Sequence, residues 1–371
     1  MTPRGNRRTH ELHFSSASAG CGQNLGNHVH REKPGKMDQK HHALIVGVGS
    51  IGERHLRCFQ ATGRADVSFV EINDALRATI SKRYGVNGFS DLGAAARGCD
   101  VAVVATPANQ HVEIATTLAE AGMHVLIEKP LSTHTDGIER LARVARERNV
   151  IIAVAYVYRC FPALSAMRDA LCSARFGRPV EIVGVCGQHF PTYRPAYRDT
   201  YYADRATGGG AIQDALTHVL NAGEWLVGPI GRLVADAAHQ VLEGVVVEDT
   251  AHVLVRHGDV LGSYSLNQHQ APNEITLTVI CERGTVRWES HAQRWRWMTK
   301  PDEPWHDEPH GPLPRDAAFV MQSRRFLDAV ADRTPPLCTL DEGLQTLRVN
   351  LAALASLECR GWQTVGVHAA P

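Results

Sequence analysis

The sequence predicts a two-domain α/β protein: an N-terminal doubly wound parallel sheet followed by a C-terminal α+β domain with a large, mostly antiparallel sheet. Three observations lead there. Up to about residue 158, short apolar runs alternate with helical stretches of roughly ten to fifteen residues, the pattern of a parallel sheet covered by helices on both faces. Beyond about residue 160, several runs instead alternate apolar and polar residues, as in "VVEDTAHVLVR" and "NEITLTVIC", which suits a sheet with one covered face. At 371 residues the chain is also long enough for each domain to bury its own core.

The elements follow in order. Residues 1–36 are rich in Gly, Ser, Asn, His and Arg without apolar periodicity, so a disordered extension is expected there, with Met37 as an alternative start of translation. "ALIVGVG" reads as a strand running into glycines, followed by a helix through "ERHLRCFQAT". "VSFVEI" is the next strand and "ALRATISKRYG" the next helix, while "DVAVVATP", "HVLIEKP" and "VIIAVAY" are three more buried strands. These place a Rossmann-type domain at 37–158 and a second domain at 159–365. The second domain opens with a helix through "ALSAMRDALCSARFG" and continues with β-type runs at 179–187, 232–241, 246–256, 260–268, 274–281 and 284–290. A helix carrying Asp214 and His218 interrupts them. "QRWRWM" sets Trp295 and Trp297 on one face of a further strand, with Trp288 nearby. The Pro-rich segment 301–314 is expected to be a loop, and helices near 316–331 and 341–358 close the chain.

Composition narrows the function. Lys plus Arg and Asp plus Glu both number 39, leaving no global field to attract nucleic acid or an anionic membrane. No apolar run reaches the roughly 18 residues a membrane span needs, and "ELHFSSASAG" is too polar for a signal-peptide core. A soluble, cytoplasmic protein is expected. The nine cysteines show no CxxC spacing, and the twenty histidines form no HExxH or Cys/His cluster, so reduced cysteines and no metal site are expected.

"GVGSIG" puts Gly47, Gly49 and Gly52 between the first strand and the first helix. In that context the first glycine permits a tight turn, the second lets a pyrophosphate approach the backbone and the third lets helix and strand pack closely. Ser50 and Ile51 open the helix whose amides would face the phosphates. Glu71 ends the second strand about twenty residues further on, where a carboxylate accepts hydrogen bonds from a ribose diol. Ile72 and Asn73 follow it with no arginine to hold a 2′-phosphate, so NAD is favoured and NADP less so. Thr106, Pro107 and His111 follow the "DVAVVA" strand and are placed on the cofactor rim. Lys129 stands at the carboxyl end of another parallel strand, the edge where such sheets bind ligands.

On "GVGSIG", on "ATPANQHVEIATTLAEAGMHVLIEKPLS" at 105–132 and on "GGGAIQDALTHVLN" at 208–221, the chain resembles the Gfo/Idh/MocA family of sugar and polyol oxidoreductases from about residue 41 to 360. The resemblance implies that Glu128, Lys129 and Pro130 match the family's E-K-P tripeptide at the nicotinamide end of the sheet. It also implies that Asp214 and His218 are its Asp-x-x-x-His pair, here with Ala215, Leu216 and Thr217 between them. An NAD-dependent dehydrogenase or reductase of a sugar, sugar derivative or cyclitol is therefore expected, most readily as a homodimer or homotetramer. The alternatives are a redox-assisted glycoside hydrolase and a non-catalytic NAD-binding regulator. His218 has the pKa range of an acid/base, Lys129 would stabilise charge on the reacting oxygen, and Asp214 would hold a hydroxyl or orient the pair.

Just before the glycines, "HFPTYRPAYRDTYYADRATGGG" concentrates Arg194, Arg198 and Arg205 among Tyr193, Tyr197, Tyr201 and Tyr202. Arginine forks suit carboxylate or phosphate, so Arg194 and Arg198, with Arg159 earlier in the domain, are candidates for binding an acidic or nucleotide-linked sugar. The competing expectation is a solvated loop whose arginines pair with Asp199 and Asp204.

Overall fold

A computed structural model of the chain describes residues 40–366. The expected N-terminal extension and the choice between Met1 and Met37 lie outside the described residues. The first sheet is built from β1 (His41–Val46), β2 (Ala65–Val70), β3 (Gly88–Phe89), β4 (Val101–Val104), β5 (His124–Ile127) and β6 (Ile152–Val154). All pairings are parallel and the order is β3-β2-β1-β4-β5-β6. The chain winds outward from β1 to β3, then returns to lay β4 against the other side of β1. The crevice past the carboxyl ends of β1 and β4 is thus the switch point at which open parallel sheets bind ligands.

The central strands are apolar throughout because both faces are covered. On one face Leu44, Val46, Ala102, Val104, Val125 and Ile127 pack with residues of α4 (His111–Glu120) and α5 (Ile138–Glu147). On the other, Ala43, Ile45, Val101 and Val103 pack with Leu56 and Phe59 of α1 (Ser50–Ala61). The remaining helices of this region are α2 (Asp74–Tyr84) and the short α3 (Leu92–Ala95). Two later helices also reach these cores: α9 (Ala317–Asp332) through Phe326, Leu327 and Val330, and α10 (Leu340–Cys359) through Leu340 and Leu347. The end of the chain therefore returns to seal the sheet at its beginning. Arg57 of α1 fixes the return by donating to Asp316 from Nε at 2.6 Å and Nη2 at 3.1 Å.

The second sheet has nine strands: β7 (Pro179–Gly187), β8 (Arg232–Ala238), β9 (Thr250–His257), β10 (Val260–Asn267), β11 (Glu274–Cys281), β12 (Gly284–Glu289), β13 (Arg294–Met298), β14 (His306–Pro309) and β15 (Gln363–Thr364). Their order is β14-β13-β12-β11-β7-β10-β9-β8-β15, antiparallel except for the pairing of β7 with β10. Its covered face packs on α6 (Pro162–Cys172), α8 (Thr217–Val227) and α10, with Leu164, Met167, Val219, Leu220, Val349 and Ala353 in one core. Trp288 and Trp295 face each other across β12 and β13 within it. A four-residue helix, α7 (Phe190–Tyr193), begins the segment after β7. No helix among the described residues is long and apolar enough to cross a membrane.

Two expectations need correction. The Pro-rich segment contains the edge strand β14, because pairing with β13 from a distance overrides the local loop composition. The runs expected at 232–241 and 246–256 are shorter strands joined by an irregular segment. There the Asp249 carboxylate accepts the amides of Gln240, Val241 and Leu242 at 2.7–3.0 Å, curling the chain out of the sheet. Leu242, Val245 and Val247 then pack with Phe190, Tyr197 and Tyr202 in a small separate core.

Candidate active site

At the switch point, Gly47 takes a φ of +82°, a conformation that side-chain-bearing residues rarely adopt. A Cβ on Gly52 would lie 1.9 Å from the Gly47 carbonyl oxygen, so only glycine lets α1 start this close to the turn. A Cβ on Gly49 would meet nothing within 4 Å: the turn is open on the side where a pyrophosphate approaches. Gly49 caps α1 without a side-chain bond, leaving the amides of Ser50, Ile51 and Gly52 at the helix start to receive an anion. Glu71 follows β2, where its Oε2 accepts the Val48 amide at 3.3 Å and its Oε1 the Asn73 amide at 2.9 Å. Those bonds anchor the carboxylate beside the glycine turn. Ile72, next to it, is 84% exposed, an apolar face on this rim that sequence reasoning passed over. Arg77 was missed too: it reaches back to the Glu71 carbonyl at 2.8 Å, yet Asp74 holds its other arm at 2.5 Å. These residues fit an NAD-type dinucleotide.

The β4 side of the rim carries Thr106 and the exposed Pro107. His111, expected on the cofactor rim, is buried, with Nε2 2.8 Å from the Thr106 carbonyl oxygen and Nδ1 3.0 Å from that of Pro130. It braces the two loops from within, so its ring does not face the groove.

Lys129 leaves the end of β5 beside the Glu128 carboxylate, whose Oε2 accepts the Lys129 amide at 2.9 Å. Its Nζ donates to Asp214 twice, to Oδ1 at 3.0 Å and to the main-chain oxygen at 2.7 Å. Asp214 also accepts the Tyr201 hydroxyl at 2.6 Å and Arg194 Nη1 at 3.4 Å. Burial would push this carboxyl up, but the charges of Lys129 and Arg194 and the Tyr201 hydroxyl hold it well below the ordinary carboxylate range.

Asp214 does not sit in a regular α-helix. Residues 212–216 form a π-turn, with the Thr217 amide bonded to the Ile212 carbonyl, before α8 begins. Glu248 pins the entrance: its carbonyl accepts the Ala211 amide at 2.8 Å and its carboxylate the Ile212 amide at 3.2 Å. Gly210, at φ +87°, lies so close that a Cβ would meet the Glu248 carboxylate at 2.5 Å. Glu248 was missed by sequence reasoning because it arrives from the strand-to-strand segment 239–249.

His218, one turn after Asp214, stacks on Tyr158 at 4.7 Å between ring centroids and meets the edge of Tyr156 at 6.0 Å. Its Nδ1 is buried without a hydrogen-bond partner. Burial in this aromatic box, aided by the charge of Lys129, holds its pKa down to about 3, so the ring is neutral at physiological pH. The Tyr158 ring, also missed, packs on Trp288 and Phe161 behind the stack.

The structure separates the candidate arginines. Arg194 is half-exposed and its guanidinium faces Asp214. Arg159 is a correction: it is buried, with Nε on the Asn221 side chain at 3.0 Å and Nη1 on the Leu337 carbonyl at 2.7 Å and Glu342 at 2.6 Å. Its donors tie α8 to α10 and are not offered to a substrate. Arg198 lies over Tyr197 and donates to the Glu243 carbonyl at 2.8 Å, a candidate that the fold engages with its own groups. Arg205 pairs with Glu248 at 2.7 Å. Glutamates from 239–249 thus replace the expected partners Asp199 and Asp204, the latter capping its own turn at the Ala206 amide.

A doubly wound sheet with this glycine turn, feeding a lysine, an aspartate and a neutral histidine beside it, defines a dinucleotide-dependent dehydrogenase. The chain belongs to the Gfo/Idh/MocA oxidoreductases: residues 41–156 match the family's NAD-binding Rossmann fold and residues 164–287 its C-terminal domain. The levoglucosan dehydrogenase of Pseudarthrobacter phenanthrenivorans is 24% identical over 378 residues, covering 86% of this chain and 97% of that protein. A solved structure of levoglucosan dehydrogenase in complex with NADH and levoglucosan superposes with a TM-score of 0.81 at 21% identity, covering 89% of this chain and 100% of the other. The WlbA dehydrogenase from Bordetella pertussis, in complex with NADH and UDP-GlcNAcA, gives a TM-score of 0.76 at 25% identity over 89% of this chain and 99% of its own.

Proposed function

We propose that the protein transfers hydride between NAD and a secondary alcohol or ketone of a sugar, sugar derivative or cyclitol. The observation that carries this reading is the convergence of Lys129, Asp214 and the neutral His218 at the carboxyl edge of the sheet that bears the glycine turn. The glycine turn at 47–52 and Glu71 would hold NAD, which would supply the hydride acceptor for the carbinol carbon. His218, uncharged, takes the hydroxyl proton. As the proton leaves, negative charge grows on the oxygen, offsets the repulsion from Lys129 and makes the imidazole a stronger base. The Lys129 ammonium, oriented by Asp214, stabilises that charge. Asp214 also accepts a neighbouring hydroxyl once substrate displaces the Tyr201 phenol. The anchored Glu71 carboxylate favours NAD over NADP through the ribose diol and by repelling a 2′-phosphate.

Relatives that hold levoglucosan and UDP-GlcNAcA support a sugar-derived substrate, and Arg194 supports one with an anionic group near the reacting carbon. The free, buried thiols of Cys58, Cys160, Cys186, Cys281 and Cys338 fit a reducing cytoplasm, and the exposed Val185, Leu254 and Leu261 on neighbouring strands of the second sheet fit a homo-oligomer. Screening NADH appearance across cyclitols, aldoses, uronic acids and nucleotide sugars tests the proposal. Absence of turnover with every class, or release of an aglycone without net NADH, would overturn it.

A further inference from the structure

The geometry points to His55 as a positioning residue for Lys129, acting through Glu128; the inference rests on the role proposed above for Lys129. His55 lies on α1, three residues beyond Gly52, and is fully buried. Its Nε2 sits 2.6 Å from Glu128 Oε1, while Glu128 Oε2 accepts the Lys129 amide at 2.9 Å. The helix whose first turn receives the dinucleotide phosphates is therefore joined by two hydrogen bonds to the residue that carries the ammonium group.

A packing role alone does not account for this arrangement. Phe319 of α9 meets the His55 ring edge-on at 5.8 Å, a contact that any apolar side chain of similar size would make. The polar contact is different in kind. Glu128 is itself only 4% exposed, and a buried carboxylate needs donors to remain an anion. Burial pushes its pKa up, but the hydrogen bond with His55 and the charge of Lys129 hold it below the ordinary value. His55 Nδ1 has no partner, so Glu128 is the ring's single hydrogen-bond commitment. Without His55, the Glu128 carboxylate would keep the Lys129 amide as its remaining donor and lose the bond that fixes its plane. The backbone at Lys129, and with it the aim of Nζ, would then be free to shift. Misplacement of about 1 Å at a reacting group costs on the order of a hundredfold in rate.

The test measures kcat, the substrate KM and the Kd of NADH for the full chain carrying His55→Leu, His55→Gln or His55→Asn, beside Lys129→Met. A glutamine amide nitrogen falls close to the position of imidazole Nε2 and can donate to Glu128, whereas that of asparagine falls short. Expected are a kcat loss of about 10- to 100-fold in His55→Leu and His55→Asn, with KM and NADH Kd within about twofold, and recovery of most of kcat in His55→Gln. Should the leucine variant fail to fold, the Gln and Asn pair makes the same comparison. Wild-type kcat in His55→Leu or His55→Asn while Lys129→Met is inactive, or equal losses in the Gln and Asn variants, would overturn the inference and leave the proposed chemistry standing. Full activity in Lys129→Met would overturn both.

Discussion

The glycine turn after β1 and the arginine–tyrosine segment before the site helix were both readable as binding elements, and they fared differently. Gly47, Gly49 and Gly52 sit where their spacing implied, each with a distinct local reason. Of Arg194, Arg198 and Arg205, one faces Asp214 and two are held by glutamates 45 and 43 residues further along the chain. A glycine's role is decided by backbone a few residues away. An arginine's is decided by whichever acid the fold delivers, and spacing does not encode that.

This contrast can be broken or sharpened by experiment. The largest effects belong where both regions meet. Lys129→Met and His218→Asn should each lower turnover by about 10² to 10⁴, roughly 3 to 5 kcal/mol of barrier, while NADH still binds. Near-normal turnover in either variant, measured on the substrate found by screening, removes that residue from the chemistry.

Next come the arginines. Arg194→Ala should cut kcat/KM for an acidic sugar by about 1.5 to 3 kcal/mol and spare its neutral analogue, whereas Arg198→Ala should stay within about 0.5 kcal/mol for both. Indifference of Arg194→Ala to substrate charge makes a neutral sugar or polyol the better substrate. Sensitivity in Arg198→Ala would mean that its segment rearranges when substrate binds.

The cofactor end predicts a smaller discrimination. Wild type should prefer NAD to NADP by more than about tenfold, and Glu71→Ser should erode that preference. Equal use of the two by wild type would mean that Arg77 leaves Asp74 to serve a 2′-phosphate.

The smallest effect is one of stability. Folded His218 stays neutral down to about pH 3, while in the unfolded chain an imidazole takes up a proton below about pH 6.5. The stability tied to this neutral ring is full above about pH 6.5 and drains as pH falls towards 3. Moving from pH 7 to pH 5 should therefore lower the Tm of wild type more than that of His218→Asn, by about 2 °C or more. Identical drops would mean that His218 titrates as an ordinary surface histidine.

Much of the architecture was legible because burial on two faces or one writes a different period into a strand. The run at 179–187 became β7 and that at 274–281 became β11 with no change of boundary. β14 was not legible, since "HDEP" has no strand signal of its own and exists by pairing with β13. Within the site, Lys129, Asp214 and His218 could be named from motif context, and the structure brings Lys129 onto Asp214 with His218 a turn away. The π-turn beneath them could not be read, nor could His55, Tyr158 and Glu248, whose partners lie on other elements. Arg159 misled for the converse reason: a charged side chain near a motif looks available until α10 brings Glu342 to it.

The small core shared by Phe190, Tyr197 and Tyr202 with Leu242, Val245 and Val247 has a practical consequence for redesign. Segments 188–207 and 239–249 are a single mechanical piece, bolted by Arg198 to Glu243 and by Arg205 to Glu248. Grafting the first segment alone from a relative would strip the second of its apolar support and leave Glu248, which anchors the site helix, without its arginine. The exchangeable cassette is the pair. Moved together, they would replace Arg194 and Tyr201 while leaving the glycine turn and Lys129 untouched, so that substrate choice could be retuned on a constant cofactor platform.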